Sequence, residues 1–173
     1  MYLLASVLAV IILLLNPGRV SAVVDSASIV KEIKEAEPVD DRVTRLEKTL
    51  TVYGSDLAPY SKFIIAVSDK NNLPWHLLAA ISGVESGFCR KIPSVSYNCW
   101  GWANGRKYFT DYEDALETVA SGIKSNYIDR GLTTPELMNR VYAPPSATWA
   151  WKVRYFMNLI EYQTPDISLE FNL

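Results

Sequence analysis

The fold is decided by the stretch Leu77-Leu78-Ala79-Ala80-Ile81-Ser82-Gly83-Val84-Glu85-Ser86-Gly87-Phe88. Its large apolar side chains stand at positions 77, 81, 84 and 88, which is the spacing of one face of a helix. Pro74 lies just upstream and suits the first position of a helix, because its backbone angle is already helical. The sequence therefore predicts a helix that begins near Pro74 and buries one stripe in the core.

Glu85 is the residue in this helix that can do chemistry. It follows Val84 at the edge of the buried stripe, in the last turn, where the helix dipole is negative. Partial burial and the dipole both disfavour the charged form and should raise the pKa of its carboxyl group. A carboxylic acid tuned in this way can protonate a leaving glycosidic oxygen near neutral pH. The alternative is a solvated glutamate on the rim of the helix, as most helical glutamates are.

The rest of the chain from Ser55 onward has the same helical character. The Thr110 and Glu113 pair looks like a capping box that opens a long helix, and Gly131 is the expected stop. Pro135 is suited to the first position of a short helix that ends near Tyr142. Further helices are predicted through residues 60–67 and from about residue 146 to 160. We expect a mainly α domain.

An aromatic-rich stretch separates the buried helix from the long one. Asn104-Gly105, the dipeptide that best fits a type I′ turn, lies between two short segments, residues 100–103 and 106–109, so a small β-hairpin is predicted. Aromatic rings stack on flat sugar faces, and we expect Tyr97 and Tyr108 to line a cleft while other rings fill the core. The alternative is that all the rings of this stretch are core residues.

The chain before residue 55 is predicted to direct export. Residues 1–22 contain an apolar run from 2 to 15 and then Val20-Ser21-Ala22, the small-residue pattern of a signal-peptidase site. Cleavage after Ala22 is expected, and a membrane anchor through residues 2–15 is the alternative, because no Lys or Arg precedes the run.

Residues 23–54 are interpreted as a polar linker or stalk with helical tendency. Val43, Leu46 and Leu50 favour a helix lying on the domain over a short coiled coil, because the repeats are too few. Residues 55–163 are the expected catalytic domain, and residues 164–173 a C-terminal tail.

Composition excludes several kinds of function. The 173 residues are 49% hydrophobic and 21% charged, which suits one compact domain, and the net charge of −2 gives no basic field for nucleic acid. His76 is the single histidine and no CxxC or HExxH pattern occurs, so we expect neither a metal nor a cofactor. Cys89 and Cys99, the two cysteines of an exported chain, predict one disulfide, with two free thiols as the alternative.

Three blocks of the sequence resemble the lysozyme-like superfamily and, within it, the bacterial glucosaminidase family, which is mannosyl-glycoprotein endo-β-N-acetylglucosaminidase-like. Residues 77–88 look like its catalytic helix with a Glu-Ser pair, which soluble lytic transglycosylases share. Residues 98–102, Asn-Cys-Trp-Gly-Trp, resemble the Asn-Leu-Phe-Gly-Ile stretch of the family. Tyr142-Ala143 and residues 149–153, Trp-Ala-Trp-Lys-Val, resemble its Tyr-Ala and Tyr-Ala-x-Lys-Val segment. The similarity covers roughly residues 57–160.

The resemblance implies an enzyme that cleaves β-1,4 bonds between N-acetylmuramic acid and N-acetylglucosamine in peptidoglycan glycan strands. It implies Glu85 as general acid with Tyr142 beside it in the cleft, although Tyr142 read alone is equally a core tyrosine at a helix end. The expected substrate-binding residues are Ser86, Asn98, Trp100 and Gly101 of these blocks, with Tyr97 and Tyr108 of the aromatic stretch. We expect a monomer that is secreted or held in the cell envelope.

A second carboxylate, which most glycosidases use, has no candidate near Glu85 in the sequence. No Asp or Glu occurs from Cys89 to Phe109, and the acids at 111, 113 and 114 are explained as charges at the start of the next helix. Glu85 would then act with the N-acetyl or 6-hydroxyl group of the substrate, giving hydrolysis or an anhydro-sugar product. The alternatives are a lytic transglycosylase of the same fold and a non-catalytic wall-glycan-binding protein.

Overall fold

A computed structural model describes residues 40–163 of the chain, which form a mainly helical unit. Its helices are α1 (Arg42–Val52), α2 (Ser61–Lys70), α3 (Leu77–Ser86), α4 (Tyr112–Asn126), α5 (Pro135–Tyr142) and α6 (Trp149–Glu161), with single 3-10 turns at Ala58–Tyr60 and Ile128–Arg130. The prediction of a mainly α fold is confirmed for this part. The signal or anchor at 1–22, the first part of the stalk and the tail at 164–173 lie outside the described residues. Within the described range no helix combines the length and the hydropathy that crossing a membrane would need.

Helix α3 is the centre of the unit, as its sequence predicts. All seven residues from Leu77 to Gly83 are buried, and the helix packs most extensively against α6. Burying one such Leu or Ile side chain stabilises the fold by about 1.5–3 kcal/mol. The buried helix therefore holds the residues at its C-terminal end in place. It begins at Leu77 and not at Pro74, because residues 74–77 form a separate turn in which the Leu77 amide donates to the Pro74 carbonyl at 2.8 Å.

Helix α1 packs into the same core. Leu46 and Leu50 are fully buried, and α1 contacts α2 and α6. Of the two interpretations of this segment, a helix on the domain and a coiled coil, the structure has the former. The boundary drawn at Ser55 from the sequence therefore leaves out a helix whose apolar face belongs to the domain.

Helix α4 begins with an acidic cap. Asp111 accepts a hydrogen bond from the Asp114 amide at 2.8 Å, and the Asp114 carboxylate accepts one from the Thr110 amide at 3.0 Å. The capping arrangement predicted for Thr110 and Glu113 is thus shifted by one residue, because an aspartate competes well with threonine for the cap position. The helix ends at Asn126, and a 3-10 turn leads to Gly131, whose φ of 78° closes the segment.

The aromatic stretch after α3 forms a loop of turns, and no β-strand occurs within residues 40–163. The predicted turn is present: Asn104 and Gly105 have φ of 55° and 74°, and the Ala103 carbonyl accepts a hydrogen bond from the Arg106 amide at 3.2 Å. The strands on either side of this turn are not formed, so the predicted β-hairpin is not confirmed.

The side chain of Asn98 gives the physical reason. It accepts a hydrogen bond from the Trp102 amide at 2.8 Å and donates to the carbonyls of Trp102 at 3.0 Å and of Lys107 at 2.9 Å. Side-chain hydrogen bonds of this kind compete with a strand ladder for the backbone on both sides of the turn. A buried amide therefore replaces the ladder and holds the loop together.

Candidate active site

Glu85 lies in the last turn of α3, one residue before the helix ends. Gly87 follows with φ of 60° and closes the helix, and the Phe88 amide donates to the Ser82 carbonyl at 3.1 Å. This is the arrangement by which glycine commonly ends a helix. As a whole the residue is exposed, so its carboxyl group is open to solvent from one side while the buried helix fixes its backbone.

The indole of Trp149 holds one oxygen of this carboxyl group. Its Nε1 donates to Glu85 Oε1 at 2.7 Å, across the interface between α3 and α6. Trp149 is itself buried at the first position of α6, so the donor is fixed. Within the described part of the chain no donor reaches the other oxygen, Oε2, which is left for a proton or a ligand.

The carboxyl group of Glu85 is tuned toward its neutral form. Desolvation by the surrounding protein raises its pKa above the ordinary value, and the Trp149 hydrogen bond, which favours the carboxylate, lowers it in part. The net direction is upward. A carboxyl group that holds its proton to higher pH is suited to donating that proton to a leaving oxygen.

Tyr142 contacts Trp149 through its ring and the backbone of Trp100 through its hydroxyl group. The ring stacks on that of Trp149 with centroids 4.9 Å apart and an interplanar angle of 25°. The hydroxyl donates to the Trp100 carbonyl at 2.6 Å. Burial of the hydroxyl holds its pKa well above the usual range, and the Glu85 and Tyr127 groups add to the effect.

The structure thus brings Tyr142 close to Glu85, as expected, but with its hydroxyl already engaged. The hydroxyl proton is directed at the Trp100 carbonyl. Tyr142 thereby joins Trp149, on which its ring stacks, to the loop at Trp100.

The backbone of Gly101 closes the opposite side of the carboxyl group. A Cβ placed on this residue would lie 3.3 Å from Glu85 Oε2, and its φ of 62° is in the left-handed region. Only glycine combines this conformation with such a close approach. The predicted site residue Gly101 therefore lies beside the Glu85 carboxyl group and leaves room for it by having no side chain.

The disulfide between Cys89 and Cys99 fixes the loop in this place. The predicted pairing is confirmed, with Cα atoms 4.7 Å apart. Ser86 adds a second tie, since its hydroxyl bonds to the Cys99 carbonyl at 2.8 Å and accepts the Cys89 amide at 3.0 Å. Ser86 is buried and joins the end of α3 to the loop.

A cavity of about 430 Å³, here called the Tyr142 cavity, opens beside Gly101. It is lined by residues 101–104 of the loop, by Asn126 at the end of α4 with Tyr127 and Arg130 after it, and by Val141 and Tyr142 of α5. Trp102 is fixed against α4, because a Cβ at Gly122 would lie 2.8 Å from its Cη2. The cavity adjoins Glu85 through Gly101, although Glu85 is not one of its lining residues.

Other predicted binding residues lie elsewhere. Trp100 is fully buried and donates from Nε1 to the Leu78 carbonyl at 2.9 Å, so its ring is core. Asn98 is buried and spends its amide on the loop. Tyr97 packs edge to face on Tyr112 at 5.0 Å and lines a separate cavity of about 280 Å³. Tyr108 is 56% exposed and lines none of the cavities described here.

Several residues of the site escaped the sequence interpretation. Trp149 was noted only as part of residues 149–153, and neither Tyr127 nor Arg130 was singled out. A tryptophan at the start of the last helix is a usable signal, because a buried indole N–H needs an acceptor. Which acceptor it finds depends on how α6 packs on α3, which the periodicity does not encode.

Asp111 and Asp114 are occupied in capping α4. Among the described residues, no ionised group shifts the pKa of the Glu85 carboxyl group. The same part of the chain holds no cluster of three potential metal ligands. The chemistry available at this site is that of one carboxyl group. Comparisons of the chain with protein-family models, curated proteins and solved structures found no match.

Proposed function

We propose that this chain is an exported glycosidase of peptidoglycan that cleaves β-1,4 bonds in the glycan strands, with Glu85 as its general acid. The observation that carries the proposal is the environment of that carboxyl group, which has a raised pKa, one oxygen held by Trp149 and the other free beside Gly101 and the Tyr142 cavity. The resemblance of residues 77–88 to the catalytic helix of lysozyme-like enzymes supports it. The disulfide fits an oxidising compartment and so supports export.

The proposed reaction starts with a proton on Oε2 of Glu85. Because the Trp149 N–H occupies Oε1, the proton resides on the oxygen that faces Gly101. Glu85 gives this proton to the bridging oxygen as the bond from that oxygen to the anomeric carbon breaks, and the leaving sugar departs as a neutral alcohol. General acid catalysis of this kind contributes about 10² to 10⁴ in rate.

The positive charge that develops at the anomeric carbon needs an electron pair. With no second acid beside Glu85 in the described residues, the substrate supplies the pair. The carbonyl oxygen of the neighbouring N-acetyl group can attack the anomeric carbon and later be displaced by water, which completes a hydrolysis. Glu85, now a carboxylate, takes the proton of that water and is restored.

A lytic transglycosylase is the second candidate, and the lack of a second acid favours it. In this case the 6-hydroxyl of the same sugar attacks the anomeric carbon and loses its proton to the Glu85 carboxylate. The product is a 1,6-anhydro sugar and no water is consumed. The two candidates share Glu85 and differ in one product.

The test is a digest of purified peptidoglycan, with the products identified by mass spectrometry. We compare wild type with Glu85→Gln, and use Glu47→Gln, an exposed carboxylate of α1, as the matched control. Wild type and the control should release fragments, while Glu85→Gln should be folded and slower by about 10² to 10⁴. Reducing ends identify a hydrolase and anhydro ends a transglycosylase.

Full activity of Glu85→Gln would remove Glu85 from the mechanism. Absence of cleavage by wild type on every wall material, with binding retained, would leave the non-catalytic glycan-binding protein as the function.

A further inference from the structure

The charge of the Tyr142 cavity is set by one arginine. Arg130 lies in the 3-10 turn after α4 and lines the cavity. Among the described residues that line it none is acidic, and the polar neighbours are the neutral amides of Asn104 and Asn126. The cavity beside the candidate acid is therefore electropositive, although the whole chain carries a net charge of −2.

Arg130 keeps its charge available. Its Nη1 donates only a weak hydrogen bond to the Asn126 carbonyl, at 3.3 Å. The nearest acid in sequence, Asp129, is paired with Lys124 at a distance of 2.8 Å. No ion pair engages Arg130 within residues 40–163, so its planar donor group is free to receive an acceptor.

A row of aromatic rings connects this cation to Glu85. Burial raises the pKa of the Tyr127 hydroxyl, and the charge of Arg130 lowers it in part, which places the two groups near each other. The Tyr127 and Tyr142 rings have centroids 5.9 Å apart, and Tyr142 stacks on Trp149, which holds Glu85. Tyr127 and Tyr142 of this row line the cavity together with Arg130, and Trp149 and Glu85 lie beyond it.

We infer that Arg130 binds a carboxylate of the substrate, so that the site selects an anionic glycan over a neutral one. The inference rests on the proposed function and names the feature of the substrate that the site recognises. A guanidinium group pairs with a carboxylate through two parallel hydrogen bonds, and the neutral amides nearby suit hydroxyl and N-acetyl groups. Chitin has the same β-1,4 backbone without a carboxylate and is the natural neutral counterpart.

Two parts of peptidoglycan carry the required carboxylate. One is the lactyl group of muramic acid, which is a free carboxylate where the stem peptide has been removed. The other is the stem peptide itself, which carries carboxylates where it is present. The two sources share one chemistry and can be separated by the choice of ligand.

The experiment measures binding by calorimetry in the Glu85→Gln background, which prevents turnover. The probes are an N-acetylglucosamine–N-acetylmuramic acid disaccharide with a free lactyl group, the same disaccharide carrying a stem peptide, and neutral diacetylchitobiose. Arg130→Gln is compared with Arg140→Gln, an exposed arginine of α5 that does not line the cavity and gives the same change in net charge.

We expect Arg130→Gln to weaken a carboxylate probe about tenfold, the lower range for a charge-assisted contact at an exposed site, and to leave chitobiose unchanged. Loss confined to the peptide-free disaccharide assigns the lactyl group, and loss confined to the peptide-bearing one assigns the stem peptide. The preference should fall as salt is added. Arg140→Gln should change neither.

Equal weakening of the charged probes and of chitobiose, or no weakening of any, would overturn the inference. Failure of the proposed function has a different signature, because wild type would then cleave no wall material while Arg130 still governed carboxylate binding. The inference would be overturned, with the proposed function intact, if wild type and Arg130→Gln digested wall strands at the same rate and also digested chitin at the same rate.

Discussion

The contact between Gly101 and Glu85 gives the sharpest test of the site. In Gly101→Ala the new Cβ would lie 3.3 Å from Oε2, so the carboxyl group must move by a few tenths of an ångström. A displacement of 1 Å in a catalytic group costs about 10² in rate, and this smaller movement should lower kcat roughly threefold to tenfold. The left-handed backbone adds a cost of about 1–2 kcal/mol in stability for any residue with a Cβ.

Gly105→Ala is the matched control, since Gly105 lies in the same loop with φ of 74° and would place its Cβ within 4 Å of nothing. Both variants should carry the same backbone strain, and both Tm values should fall by roughly 2–8 °C in a thermal scan followed by circular dichroism. Only Gly101→Ala should lose kcat in a peptidoglycan digest. Equal kcat losses in the two variants, or an unchanged kcat in Gly101→Ala with a lowered Tm, would refute the contact as a determinant of catalysis.

Three further predictions concern the same site. Trp149→Phe removes the hydrogen bond that lowers the pKa of Glu85. Because a general acid works below its pKa, the alkaline limb of the pH–rate profile should move to higher pH. A purely structural role of Trp149 would lower the rate without moving this limb. Replacing both Cys89 and Cys99 by Ser opens a loop with a sequence separation of 10. The free energy of unfolding, measured by urea titration under oxidising conditions, should fall by about 2.7 kcal/mol. An unchanged midpoint would contradict the chain-entropy argument. The pKa of Glu85 is raised in the folded state, so its carboxyl group favours folding below its unfolded-state pKa and loses that contribution as the pH rises through its folded-state pKa. Glu85→Gln should therefore have the same Tm as wild type or a higher one at pH 7. A clearly lower Tm at pH 7 would contradict the desolvation of this carboxyl group.

The sequence predicted the parts of the site that depend on local rules. The stripe of α3 identified a buried helix because its spacing allows no other regular structure to bury the same residues. The helix ends at Gly87, so Glu85 lies in the last turn as predicted. The pairing of Cys89 with Cys99 followed from the number of cysteines together with the expected export.

The parts that the sequence missed depend on how separate segments meet. Asn104-Gly105 forms the predicted turn, yet no strands flank it, because side-chain hydrogen bonds from Asn98 hold the backbone on both sides of the turn. The sequence predicted the last helix but not that the indole N–H of Trp149 points at Glu85. Arg130 gains its place only when the end of α4 meets the loop across the Tyr142 cavity.

The packing of Trp102 against Gly122 has a consequence for how this sequence can evolve. Any side chain at position 122 would meet the indole, so a gain of even one methyl group there requires a smaller residue at 102 in the same lineage. Trp102 also lines the Tyr142 cavity, so such an exchange would widen it. Two positions in distant parts of the chain should thus be inherited as a pair, and descendants that carry a different pair should differ in the width of this cavity.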